Sequence, residues 1–337
     1  MITTKPFGTL PDGRTVQSYR IDGADGAYVE LLDYGATLQS VVVPDKNGAL
    51  ADIVQGFDTL EGHLLHSDYQ GQTVGRYANR IGGGFSLAGQ HFAPSADENG
   101  VTLHGGGEFS HALWTAEILD EHALTLRYTS PAGAFGFPGT VQAAVTFCFE
   151  DGALIIDYYA QTDAPTVLGL TNHAYWNLRG HGDILAHTLQ ADAHKFQPGN
   201  ALLLPEGDPQ PVDNTPFDFR IAKAIGHDIA ADHEQLRLAG GYDHHFVLHP
   251  GGEVRVFEPE SRRVLSVCTD KPGFQLYTGN FLSGKPGKGG VPLEKHTGFC
   301  IETQFPPDSP NTRAADCVFT PTRPYRSRTV YAFGVLG

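Results

Sequence analysis

Apolar residues recur at every second position in one short segment of this chain after another. Leu124, Leu126 and Tyr128 form one such set, Val141, Val145, Phe147 and Phe149 a second, and Leu154, Ile156 and Tyr158 a third; Leu265 with Val267, and Tyr331, Phe333 and Val335, repeat the pattern. Side chains alternate across a strand, so period two means strands with one buried and one wet face, and such sheets must stack. Between them lie turn clusters: Asp12-Gly13, Asn47-Gly48, Pro131-Ala132-Gly133, Glu150-Asp151-Gly152 and Pro250-Gly251-Gly252, in a chain holding 41 Gly and 22 Pro. Their spacing predicts hairpins rather than crossover helices. Helical periodicity is scarce. One short helix is expected to start at Asp58, with Glu61 three residues on as in a capping box, and another to cover residues 221–231, both peripheral. Pro and Gly are spread evenly, without a linker or a fixed-period repeat. The expectation is an all-β fold, one domain over residues 1–337, built as a large antiparallel β-sandwich whose concave face or open end gathers loop side chains into a site.

A formal charge of −15, from 23 Lys plus Arg against 38 Asp plus Glu, argues against nucleic acid or an anionic membrane surface as partner. The first ten residues lack the apolar core of a signal peptide, and no stretch approaches the ~20 apolar residues of a spanning helix, which predicts a soluble cytoplasmic protein. Cys148, Cys268, Cys300 and Cys317 are far apart and form no Cys-x-x-Cys pair, so reduced, mostly buried thiols are expected.

Five segments carry side chains suited to chemistry. In Gly75-Arg76-Tyr77-Ala78-Asn79-Arg80, Asn79 and Arg80 offer adjacent donors and an acceptor for vicinal hydroxyls, although an isolated Asn-Arg is more often an ordinary surface ion-pair site. The stretch lacks the Gly-Lys-Ser/Thr ending of a phosphate loop. Leu103-His104-Gly105-Gly106-Gly107 lets a ligand or a strand approach the backbone closely beside His104. Thr171-Asn172-His173-Ala174-Tyr175 sets His173 among apolar and aromatic groups, where a satisfied core histidine is about as common as a functional one. Tyr242-Asp243-His244-His245 supplies a carboxylate. In Gly298 to Asn311, Glu302 follows the apolar run Phe299-Cys300-Ile301, at the end of a buried strand where a carboxyl pKa rises. His173 and Glu302 together look like an acid and a base, the minimum equipment for opening and closing a sugar hemiacetal. A metal reading of His244, His245, His63 and His66 is disfavoured, because neighbours on a strand point to opposite faces and no His-x-His pair occurs.

Taken in this order, the five segments resemble the aldose 1-epimerase (galactose mutarotase) family from about Gly35 to the last strand. Phe135-Gly136-Phe137-Pro138-Gly139, Thr215-Pro216-Phe217-Asp218-Phe219-Arg220 and Gln275-Leu276-Tyr277-Thr278-Gly279-Asn280-Phe281-Leu282 add weight. The resemblance implies a mutarotase-type sandwich and interconversion of the anomers of free aldoses such as galactose and glucose, without cofactor or metal. It implies Glu302 as base on the C1 hydroxyl and His173 as acid on the ring oxygen. His104 would bond near the reacting oxygens; Asn79, Arg80, Asp243 and Gln275 would hold the other hydroxyls; Tyr175 and Phe281 would line the pocket. The partner is then a monosaccharide, with the chain itself a monomer or a homodimer.

Three departures from the family pattern are Trp176 for Phe, His245 where Asn is frequent, and Glu108-Phe109-Ser110-His111-Ala112-Leu113 before Trp114. None touches the acid or the base; they bear on sugar preference. Hexose-6-phosphate epimerases would need cationic side chains for the phosphate, and the motifs fit the free-sugar branch better. Two rival readings are a sugar sensor that binds without turnover and a glycosidase using Asp243 and Glu302 as its carboxylate pair.

Overall fold

In the computed structural model, which describes residues 1–66 and 68–337, the alternating segments are antiparallel strands in three main sheets. The largest has nine strands. Thr115–Ile118, Ala123–Ser130, Val141–Glu150 and Ala153–Thr162 follow one another across it, then the chain's last strand Tyr325–Val335, then Arg263–Thr269, Glu253–Phe257, Thr188–Ala191 and Lys223–Ala224. Tyr325–Val335 thus joins its two halves, pairing Ala153–Thr162 on one side and Arg263–Thr269 on the other. Asp151 at φ +51° and Gly152 at φ +72° make the two-residue turn before Ala153–Thr162, the conformation that matches strand twist.

A five-stranded sheet holds Ile2–Thr9, Thr15–Asp22, Tyr28–Leu32, Thr37–Pro44 and Leu50–Asp52 in chain order. A second orders Gln210–Pro211, Ala193–Gln197, Asp243–Leu248, Gly273–Tyr277 and Cys300–Gln304. Buried side chains of all three, such as Leu31, Phe147 and Phe246, meet in one apolar core, as one-faced sheets must.

Several local expectations are corrected. Pro250-Gly251-Gly252 does not close a hairpin, because Asp243–Leu248 and Glu253–Phe257 lie in different sheets. The first helix is Leu60–Leu65, and its cap is Thr59, whose Oγ1 accepts the Gly62 N–H at 3.2 Å; Asp58 instead accepts the Gly289 N–H. Residues 221–231 are not a helix. They hold an edge strand, Lys223–Ala224, and a 3-10 turn, Ile225–His227. The helix comes later, at Glu234–Ala239, where His233 Nδ1 caps the start and Gly240 at φ +68° ends it. All four cysteines are free, but only Cys300 and Cys317 are buried.

Arg76 is fully buried and ties its loop to a distant hairpin. Its guanidinium donates to Ser130 Oγ at 2.8 Å, to the carbonyls of Pro131 and Pro138 at 2.8 Å, of Gly139 at 2.9 Å and of Ser130 at 3.2 Å, with Glu108 at 3.8 Å. The same loop passes against Gly105, where an added Cβ would lie 2.2 Å from Gly75 O. Only glycine permits that approach.

Candidate active site

The floor of the site is the outer side of the second five-stranded sheet. Across Asp243–Leu248, Gly273–Tyr277 and Cys300–Gln304, His244 pairs with Leu276 and Leu276 with Ile301, while His245 pairs with Gln275 and Gln275 with Glu302. Paired residues share a face, so Phe246, Phe274, Leu276 and Ile301 go to the core and Asp243, Gln275, Tyr277, Cys300 and Glu302 to the opposite side. On the core side Thr303 Oγ1 meets Thr329 Oγ1 at 2.6 Å, fastening this strand to the nine-stranded sheet.

His173 is brought over that floor by backbone pairing. Thr171–Asn172 pairs with Thr73–Val74, His173 N donates to Gln72 O, and Gly71 N donates to His173 O at 3.0 Å. Trp176, fully buried against Tyr331, bridges to Phe299, which sets residues 173–176 beside the start of Cys300–Gln304. His173 Nε2 then lies 3.6 Å from Glu302 Oε1. Its other ring nitrogen, Nδ1, lies 3.6 Å from Cys300 Sγ.

The third wall comes from two loops that brace each other. His104 N donates to Asn79 O, and Asn79 N donates to His104 Nδ1 at 3.1 Å. Asn79 Oδ1 accepts the Arg80 N–H at 2.9 Å, and Arg80 reaches Asp243 Oδ2 at 3.6 Å. Asp308 and Asn311 hold this region from behind: Asp308 N donates to Arg80 O at 2.7 Å, Asp308 Oδ1 accepts the Gly82 N–H, and Asn311 Nδ2 donates to Gly82 O and Gly84 O.

The result is a cavity of ≈ 170 Å³ lined by Asn79, Arg80, His104, His173, Tyr175, Asp243, Phe281 and Glu302 from the residues singled out in the sequence, together with Asp68, Tyr69, Leu103 and Tyr277. Gln275 stands behind it, donating its Nε2 to Asp243 Oδ1 at 2.7 Å and lining a neighbouring crevice. Phe281 sits on the rim, 61% exposed, 6.1 Å from the Tyr277 ring. Tyr277 was legible by its two-residue spacing from Gln275. Tyr69 was not: it sits at φ +56° on an irregular segment and meets the His104 ring edge-on, with ring centroids 4.7 Å apart. Asp68 is held by Lys285 Nζ at 3.0 Å and by the Tyr175 hydroxyl, which donates to its carbonyl.

Burial dominates the electrostatics. It pushes the Glu302 carboxyl well above the usual range, with the Asp243 carboxylate adding to the effect and Arg80 opposing it. Burial also lowers the His173 imidazole to about 4. His104 is held well below its ordinary value by burial, then by His173 and Arg80, and is neutral at pH 7. The imidazole therefore resists gaining a proton and the carboxyl resists losing one, which favours a single proton shared by the His173 and Glu302 pair.

His104, His173 and Glu302 present ligand atoms all within 4.8 Å of one another, close enough to suggest a metal. The chemistry of the set opposes it. His104 Nδ1 accepts an amide N–H, so the neutral ring carries its hydrogen on Nε2, and an N–H is a donor to oxygen, not a ligand. That donor suits a sugar hydroxyl or ring oxygen.

A family profile described as aldose 1-epimerase matches residues 17–332. The chain is 36% identical to the galactose mutarotase of Homo sapiens, over 99% of each chain. It is 33% identical to the aldose 1-epimerase of Escherichia coli (strain K12), over 96% of each. A crystal structure of an aldose epimerase homologue from C. elegans superposes with a TM-score of 0.88 at 30% identity, covering 94% of this chain and 98% of that one.

Proposed function

Because this chain belongs to the aldose 1-epimerase family, we propose that Glu302 and His173 are the base and acid with which it interconverts the α and β anomers of free aldoses. It is an isomerase. The observation that carries the assignment is the 3.6 Å approach of His173 Nε2 to Glu302 Oε1 inside a cavity walled by hydroxyl-binding groups.

In the working arrangement the shared proton is on His173 and Glu302 is a carboxylate. Glu302 takes the C1 hydroxyl proton while His173 Nε2 gives its proton to the ring oxygen, the C1–ring oxygen bond breaks, and the open aldehyde forms. Rotation about C1–C2 presents the other carbonyl face. Closure returns both protons, so the pair ends as it began. His104 Nε2–H donates to a reacting oxygen, and Asn79, Arg80 and Asp243 hold the remaining hydroxyls. Gln275 acts on the sugar through Asp243. The demand on such a site is modest, since each ~1.4 kcal/mol removed from the barrier gives tenfold in rate.

Galactose and glucose are the substrates we propose, in line with the names of the relatives. We read residues 1–337 as one catalytic unit, supported by a strand near the end of the chain lying mid-sheet. We place it in the cytoplasm and in hexose metabolism, which four unpaired thiols support. The test is polarimetric decay of freshly dissolved α-D-galactose and α-D-glucose, wild type against Glu302→Gln. Acceleration by both proteins alike removes Glu302 from the mechanism. Binding of either sugar without acceleration returns the sensor reading, and release of an aglycone from an aryl glycoside the glycosidase reading.

A further inference from the structure

We propose that Cys300 is a positioning residue for this reaction: its sulfur accepts the Nδ1–H of His173 and so leaves Nε2 as the nitrogen that exchanges protons with the sugar. Cys300 and Glu302 stand two apart on one strand and project to the same side, so a single strand grips both ends of the imidazole. The thiol meets Nδ1 at 3.6 Å and the carboxyl meets Nε2 at 3.6 Å. Cys300 is fully buried and His173 nearly so.

The hydrogen placement follows from the neighbours. If the thiol donated into Nδ1, the ring hydrogen would lie on Nε2 and point at Glu302, a carboxyl that burial drives toward its own protonated form. The carboxyl hydrogen would then have to sit on Oε2, a buried atom with no hydrogen-bond partner among the described residues. With Nδ1–H directed at sulfur, Nε2 accepts from Glu302 or carries the shared proton, and both placements keep the same ring orientation. Burial, with Glu302 and Asp243 nearby, keeps Cys300 a neutral thiol. A thiol sulfur is a weak acceptor, so it orients the imidazolium without stabilising it as a carboxylate would, and His173 stays a ready donor. His104 is fixed in the opposite sense by the Asn79 amide. The two histidines in the cavity are thus committed to different jobs, one exchanging a proton at Nε2 and the other donating a fixed hydrogen bond.

The inference rests on the acid role of His173 proposed above. Its test is the tautomer of His173 in protein with 15N-labelled histidine, assigned by loss of its signals in His173→Asn, together with polarimetry of Cys300→Val and Cys300→Ser. We expect hydrogen on Nδ1 in the wild type and a mixture of tautomers in Cys300→Val. We also expect kcat about tenfold lower in Cys300→Val with KM little changed, because only the transition state uses the aligned Nε2. Cys300→Ser restores an acceptor and should restore both the tautomer and most of kcat, which a purely space-filling role would not require. Hydrogen on Nε2 in the wild type overturns the inference, as does a Cys300→Val protein with wild-type tautomer and kcat. Full turnover by His173→Asn removes the acid role itself, whichever tautomer is found.

Discussion

Replacing Arg76 with Met removes a guanidinium that no water reaches and leaves its side-chain volume largely filled. The carbonyls of Ser130, Pro131, Pro138 and Gly139 and the Glu108 carboxylate then lose a shared donor. Breaking a buried ion pair from one side costs about 3–5 kcal/mol, and each stranded acceptor about 1–3 kcal/mol before the hairpin relaxes. Taking about 4 kcal/mol as the net, and an unfolding entropy of ~2.1 cal/mol/K per residue, a chain of 337 residues changes stability by ~0.7 kcal/mol per degree near its midpoint. The expected fall in Tm is therefore about 5–6 °C, read by scanning calorimetry. Arg76→Lys should fall between the two proteins, since an ammonium keeps the charge but reaches fewer of the carbonyls. Well below its midpoint, Arg76→Met should also show a raised KM, because Asn79 and Arg80 ride on the same loop. A Tm within ~1 °C of wild type would refute this account and would mean that the 130–139 hairpin is held by its own contacts.

Glu302→Gln should lower kcat by about 10²–10⁴, the usual contribution of a positioned base, while sugar binding by calorimetry persists. Asp243→Ala should act mainly on KM, raising it roughly 10–100-fold for the loss of one charge-assisted hydrogen bond; a fall confined to kcat would move Asp243 into the chemistry. The pH profile of kcat should be a broad plateau. Activity falls on the acid side near pH 4, where His173 gains a proton while Glu302 still holds one and no base remains. It falls on the alkaline side as the raised Glu302 carboxyl finally gives up the pair's one proton and no acid remains. An acid limb near neutrality would contradict the burial of His173.

Strand positions were legible because a one-sided sheet writes its own period into the sequence; the set Val145, Phe147 and Phe149 is buried as its spacing requires. The five polar segments were legible for a related reason. A carboxylate after an apolar run, or a histidine followed by three glycines, is out of place in a core and asks for a partner. What escaped depends on contacts between segments distant in sequence. Gln275 has the chemistry of a sugar ligand, but its side-chain amide is taken up by a hydrogen bond to Asp243, which stands in front of it. Pro250-Gly251-Gly252 has hairpin chemistry, and nothing local says that the chain is leaving one sheet for another. Residues 221–231 were misread because the edge pairing of Lys223–Ala224 with Thr188–Ala191 outweighs weak helical periodicity.

The placement of Tyr325–Val335 between Ala153–Thr162 and Arg263–Thr269 bears on how the molecule is made. During synthesis the strands on either side emerge first and wait, each with an open edge, until the strand that unites them leaves the ribosome. The largest sheet therefore closes only after its other eight strands have emerged, and by pairings between residues remote in sequence, the slow kind to form. Until then two unsatisfied edges are exposed to neighbouring chains, and the yield of folded protein in a cell depends on how well that interval is guarded.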